Sequence, residues 1–163
     1  MDIEAFWKII EQSKRGVEDC DEQSEQLAAA LVKLSPEEIA SFDQHFQMRR
    51  IEAYTWNLWG VAYLINGGCS DDGFDYFRGW LIAQGRKRFE AALKDAETVV
   101  PYAEPDECEC EDILSVAAQA YEERTGGPLP DDGIRLPQEP LGSRWEEEDL
   151  EQLFPIAAKK FAN

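Results

Sequence analysis

The sequence predicts an all-α fold, an irregular single-domain bundle of about seven or eight helices. Three observations predict it. Apolar residues recur at three- and four-residue spacing through most of the chain. Helix-start and helix-stop residues bracket those stretches, and no segment alternates convincingly with a period of two. The 163 residues fit one domain, since a chain of that size buries roughly 70% of its extended surface around one core.

The elements follow in order. Asp2 can cap a first helix with Ile3, Phe6, Trp7 and Ile10 on one face, ending at Gly16. A second helix over about 21–34 carries Leu27, Leu31 and Leu34 behind an acidic first turn that suits the helix dipole. Ser35-Pro36-Glu37-Glu38 reads as a capping box with proline at the first helical position, opening a third helix striped by Ile39, Phe42 and Phe46. From Tyr54 to Ile65 the residues are apolar nearly all round, as in a helix buried on most faces, and Asn66-Gly67-Gly68 stops it. Ser70 or Asp71 caps the next helix, which places Phe74, Phe77 and Leu81 on one stripe and runs to Gly85. Trp56, Trp59, Tyr63, Phe74, Phe77 and Leu81 are the expected core. A short helix marked by Phe89 and Leu93 follows, then a connector over 99–107 with Pro101 and Pro105. Ile113, Val116, Ala117, Ala120 and Tyr121 mark another helix, stopped at Gly126-Gly127. Residues 128–144 hold four prolines and two glycines and predict a long loop. Trp145–Phe154 reads as a final acidic helix, with one more turn from Pro155 to about Phe161.

The stretch from Tyr54 to Phe74, containing Trp56-Asn57-Leu58-Trp59-Gly60 and Asn66-Gly67-Gly68-Cys69-Ser70-Asp71-Asp72-Gly73, is followed by Tyr76-Phe77-Arg78-Gly79-Trp80-Leu81-Ile82 and Gly85-Arg86. Together they resemble the signature of a bacterial domain-of-unknown-function family, number 4240. Phe6-Trp7, Leu34–Ile39 and Ala117–Glu122 are similar to the rest of its pattern, so the resemblance covers most of residues 3–126. It implies a shared fold and carries no catalytic roles. Residues 127–163 are expected to form an acidic extension packed on the family-like part.

Charge narrows the function. Formal net charge is −18, with 18 acids and 11 bases in residues 1–100 but 16 acids and 5 bases in residues 101–163. General electrostatics therefore disfavour direct binding to nucleic acid or anionic membranes and favour a basic protein partner. No apolar run approaches the ~20 residues that cross a bilayer, and the start lacks the order of a signal peptide, so a cytoplasmic protein is expected. In that setting Cys20, Cys69, Cys108 and Cys110 are expected as free thiols.

The most suggestive constellation is Trp59, Asp71, Asp72, Asp75, Arg78 and Trp80, where carboxylates and an arginine at a helix start could orient a polar ligand. The plainer account is capping by Ser70 and the aspartates, an Asp75–Arg78 pair at i+3, and core aromatics. Cys108-Glu109-Cys110 lacks a second thiol pair, and the single histidine, His45, lies on another helix, so neither a metal nor a cofactor is expected. Arg86-Lys87-Arg88 reads as an intramolecular salt-bridge surface. No nucleophile elbow, phosphate loop, dinucleotide fingerprint or zinc-protease motif occurs.

The sequence therefore favours a non-catalytic protein-binding module of regulatory or immunity-like type, while leaving catalysis and oligomeric state open. The alternative is a small-molecule-binding protein or enzyme using an Asp71/Asp72/Arg78 pocket. A third reading is mimicry of a nucleic-acid backbone by the acid runs at Glu104–Asp112 and Glu146–Glu151.

Overall fold

The computed structural model describes residues 1–161. Among them lie nine α-helices: α1 (Ile3–Lys14), α2 (Cys20–Leu31), α3 (Pro36–Glu52), α4 (Trp56–Asn66), α5 (Asp71–Ala83), α6 (Arg86–Lys94), α7 (Val116–Thr125), α8 (Leu150–Leu153) and α9 (Pro155–Phe161). Three 3₁₀ segments, Ala96–Tyr102, Asp112–Ser115 and Glu147–Asp149, complete the order, with no strand among the described residues. The fold is all-α, with slightly more helices than the seven or eight expected.

Local chemistry places most boundaries. The Asp2 carboxylate accepts from the Ala5 amide at the start of α1, and Asp19 does the same for Glu22 at the start of α2. Ser35 and Glu38 form the reciprocal capping box of α3. Thr55 caps α4, which ends at Gly67 with φ of 66°, a left-handed conformation that glycine adopts without a Cβ clash. The Ser70 hydroxyl accepts from Gly73 at the start of α5. The expected connector after α6 is instead a 3₁₀ segment that accommodates Pro101, and the expected acidic helix from Trp145 is reduced to a 3₁₀ turn and the single turn of α8. Proline cannot donate to the preceding turn, so Pro155 separates α8 from α9.

The helices enclose one continuous apolar core. α5 is its centre: it packs on α1, α2, α3, α4 and α6, and every residue from Phe77 to Ala83 is buried. α4 is less enclosed than its apolar sequence suggests. Leu58, Val61, Ala62, Leu64 and Ile65 are buried, but Trp56, Trp59 and Tyr63 are only half-buried. They form an aromatic edge with Trp145, whose indole N–H donates to the Trp56 carbonyl at 2.6 Å. Phe74, Phe77 and Leu81 are core residues as expected.

The proline-rich segment 128–144 is without regular structure, as its composition predicts. It is tied to the bundle at Leu141, which exchanges backbone hydrogen bonds of 2.9 Å with Tyr54 and Trp56. Beyond it, Trp145, Leu150 and Phe154 fill the space left by Gly60 on α4.

Candidate functional site

The residues singled out by sequence divide among three environments. Asp71 and Asp72 are exposed on the first turn of α5, where negative charge suits the helix dipole. Asp75, one turn on, accepts from Arg50 Nη2 at 2.5 Å and Nε at 3.1 Å, and from Arg78 Nη2 at 3.0 Å. Arg78 is 2% exposed, its guanidinium 4.6 Å from the Tyr54 ring centre and 4.7 Å from that of Phe74. Its Nε and Nη1 have no hydrogen-bond partner among the described residues. Burial lowers its pKa and Asp75 opposes that shift.

Trp59 stacks between Trp56 and Phe74, and its N–H donates to the Cys69 carbonyl at 2.9 Å. Burial, reinforced by Glu109, pushes the Cys69 thiol up to about 12. Trp80 packs instead against Phe77 and Tyr102. It lines a cleft of about 430 Å³ that none of the other five residues reaches.

This cleft has two walls and a floor. One wall is the α1–α2 turn and the start of α2, with Glu18, Asp19 and Asp21. The other is the segment after Tyr102, with Glu104, Asp106, Glu107 and Glu109. Trp80 and Tyr102 supply an aromatic floor, their rings 5.8 Å apart. Lys14 is the single basic residue of the lining; its Nζ donates to the Gln84 carbonyl at 3.3 Å and side-chain oxygen at 3.4 Å. Burial, and then Arg88, lower its pKa. Arg88 stacks over the Tyr102 ring at 3.9 Å, outside the lining. The Tyr102 hydroxyl is buried without a partner among the described residues, and burial pushes it up to about 12.

A disulfide borders the cleft, with Cys20 in its lining and Cys110 buried behind it. Cys20, the first residue of α2, is bonded to Cys110 across 90 positions, with their Cα atoms 5.6 Å apart. This corrects the expectation of four free thiols: only Cys69 and Cys108 are unpaired. The fold, not the spacing, brings the pair together, because the segment after Tyr102 folds back against α2. The buried Cys108 thiol donates to the Glu104 carbonyl at 3.3 Å, and burial pushes its pKa up to about 11.

Sequence reasoning missed Cys20, Tyr102 and the facing of the two acidic walls. The acid run from Glu104 was visible, but nothing local showed that Glu18, Asp19 and Asp21 stand opposite. Elsewhere the basic island meets its expectation at Arg86 alone, which is bonded to Glu90 at 2.7 Å and lies 3.7 Å from Glu4, whereas Arg88 donates to Gln84 and stacks on Tyr102. His45 Nε2 lies 2.8 Å from the Met1 carbonyl beside Phe6.

Fold and cleft together define an acidic all-α protein with an aromatic-floored, carboxylate-walled concavity. The chain belongs to the family described as a protein of unknown function, DUF4240, whose model matches residues 1–123. No curated protein and no solved structure matches the chain. No helix among the described residues is long and apolar enough to cross a membrane.

Proposed function

We propose that the protein is a non-catalytic, cytoplasmic binding module that receives a basic segment of a partner protein in the acidic cleft. The observation that carries this reading is the composition of the cleft: seven carboxylates on two facing walls, one partly buried lysine held against Gln84, and an indole and a phenol beneath. Carboxylates match the ammonium or guanidinium of lysine and arginine, and aromatic faces attract the same cations. Low-dielectric walls of one sign also focus the field and raise the encounter rate of a basic partner. The Asp71/Asp72/Arg78 alternative lacks such support, because Arg78 is buried beneath Asp75 while the two aspartates point to solvent. A backbone mimic needs carboxylates in a row along one surface, whereas Glu104, Asp106, Glu107 and Glu109 line one wall of a hollow; the acids of the Glu146–Glu151 run lie outside that cleft.

Titration calorimetry with a lysine- and arginine-rich peptide tests the proposal. The peptide should bind, and the variant Glu104→Gln/Asp106→Asn/Glu107→Gln/Glu109→Gln should lose at least about tenfold in affinity, with a flatter salt dependence. Equal affinity of both proteins for the peptide would place binding elsewhere. Tight binding of a free polyamine with none of the peptide would transfer the reading to a small organic cation.

A further inference from the structure

The Cys20–Cys110 bond joins two walls that repel one another. The hydrogen bonds of the 104–111 segment run to itself, to α4 and to α5: the Asp106 amide donates to Asn66 at 3.3 Å, the Cys110 amide to the Tyr76 carbonyl at 2.9 Å, and the Tyr76 hydroxyl to Glu111 at 3.2 Å. Toward α2, among the described residues, its polar contact is a 3.8 Å approach of the Ser24 hydroxyl to the Cys110 sulfur. Among the described residues Lys14 is the one basic side chain of the lining and is held against Gln84, and of the seven wall carboxylates only Glu104 has an ion-pair partner, Lys160 of α9 at 3.7 Å. Just past the bond, Asp112 is close enough to Asp21 to raise the pKa of its carboxyl. The covalent link therefore adds to the packing of α2 on the Asp112–Ser115 turn and on α7 in opposing the repulsion of the remaining carboxylates.

We infer that the Cys20–Cys110 disulfide is a redox latch that sets the width of the cleft, closed when oxidised and sprung open by carboxylate repulsion when reduced. The location suits a reversible bond. Cys20 is partly exposed on the cleft while Cys110 is buried, so an external thiolate can reach the Cys20 sulfur. Attack there by a dithiol reductant forms a mixed disulfide with Cys20 and releases Cys110 as a thiolate, which takes up a proton. The second thiol of the reductant then displaces Cys20. The products are two protein thiols and the oxidised cyclic reductant, with two electrons and two protons transferred. Cys108, buried and protonated at neutral pH, does not replace that reductant.

The role of the latch in partner binding rests on the cleft being the binding site; the latch itself does not. Hydrogen–deuterium exchange on the full chain, oxidised and dithiothreitol-reduced, tests it without a partner. Thiol titration should count two free thiols before reduction and four after. Reduction should speed exchange several-fold in residues 17–24 and 104–111, leaving α3 and α4 unchanged. At about 1 M salt, where the Debye length is ~3 Å, most of that difference should vanish. Cys20→Ser should match the reduced protein without reductant. Equal exchange in the two redox forms, or a difference that salt does not diminish, would overturn the latch. The basic peptide separates this from the preceding proposal: exchange that changes on reduction without peptide binding sinks the binding role alone, whereas peptide binding to both forms with unchanged exchange sinks the latch alone.

Discussion

Arg78 is the most consequential single side chain. A guanidinium almost wholly removed from water, with one carboxylate partner and two nitrogens unpaired, depends heavily on Asp75. Asp75→Asn leaves that buried cation without its counter-charge and should cost roughly 3 kcal/mol in urea denaturation. Arg78→Met should cost less, because Asp75 keeps Arg50 and the apolar side chain still fills the space between Tyr54 and Phe74. The reverse order would mean that Arg78 is held by its aromatic contacts and not by charge. The Asp75–Arg78 pair was legible at i+3 spacing; Arg50, 25 positions upstream on α3, was not, since only packing brings it there. Tyr102 gives a second test. The groups that burial pushes up, Cys69, Cys108 and Tyr102, hold their protons longer folded than unfolded, so their contribution to stability is complete below about pH 9 and is lost as pH rises through about 11–12. Tyr102→Phe should lessen that alkaline fall in denaturation midpoint. At pH 7 it should be neutral or slightly stabilising, because it removes a buried hydroxyl that has no partner.

At the scale of elements, α5 and the returning 110–114 segment meet at Gly79. A Cβ there would lie 2.9 Å from the Cys110 carbonyl oxygen and 2.9 Å from Ile113 Cγ2. The nearest neighbour is backbone, which cannot rotate aside, so Gly79→Ala should cost about 1–3 kcal/mol and lower the melting temperature by several degrees. An unchanged melt would show that the segment can retreat freely. Helix starts were the most legible features, because a capping residue and its amide are neighbours in the chain: Asp2, Ser35 and Ser70 all act as their sequence context predicts. Which face of α4 meets the core was not legible. Its residues are apolar nearly all round, so periodicity carries no direction, and Trp56, Trp59 and Tyr63, expected in the core from sequence, form its aromatic edge with Trp145. The cleft escaped for the related reason that its two walls are more than 80 residues apart.

For the whole molecule, the excess of 34 acids over 16 bases must be tolerated by keeping carboxylates at the surface. Glu146, Glu147 and Glu148 are exposed, and replacing all three with glutamine should preserve the far-ultraviolet helical signal and leave the melting temperature equal or slightly higher. A fall of several degrees would give these glutamates a structural part. The chain beyond the family-matched residues has a different task. Phe154, Trp145 and Leu150 occupy the notch at Gly60, the Ala157 amide donates to Glu97 at 2.8 Å, and Lys160 donates to the carbonyls of Val100 and Ala103 at 2.9 and 3.0 Å. In effect the last quarter is a tethered ligand of the rest. A fragment of residues 1–126 should therefore be aggregation-prone and bind hydrophobic dyes. A separate peptide of residues 140–163 should suppress both effects by fragment complementation, with an affinity far weaker than the tether's effective concentration allows within one chain.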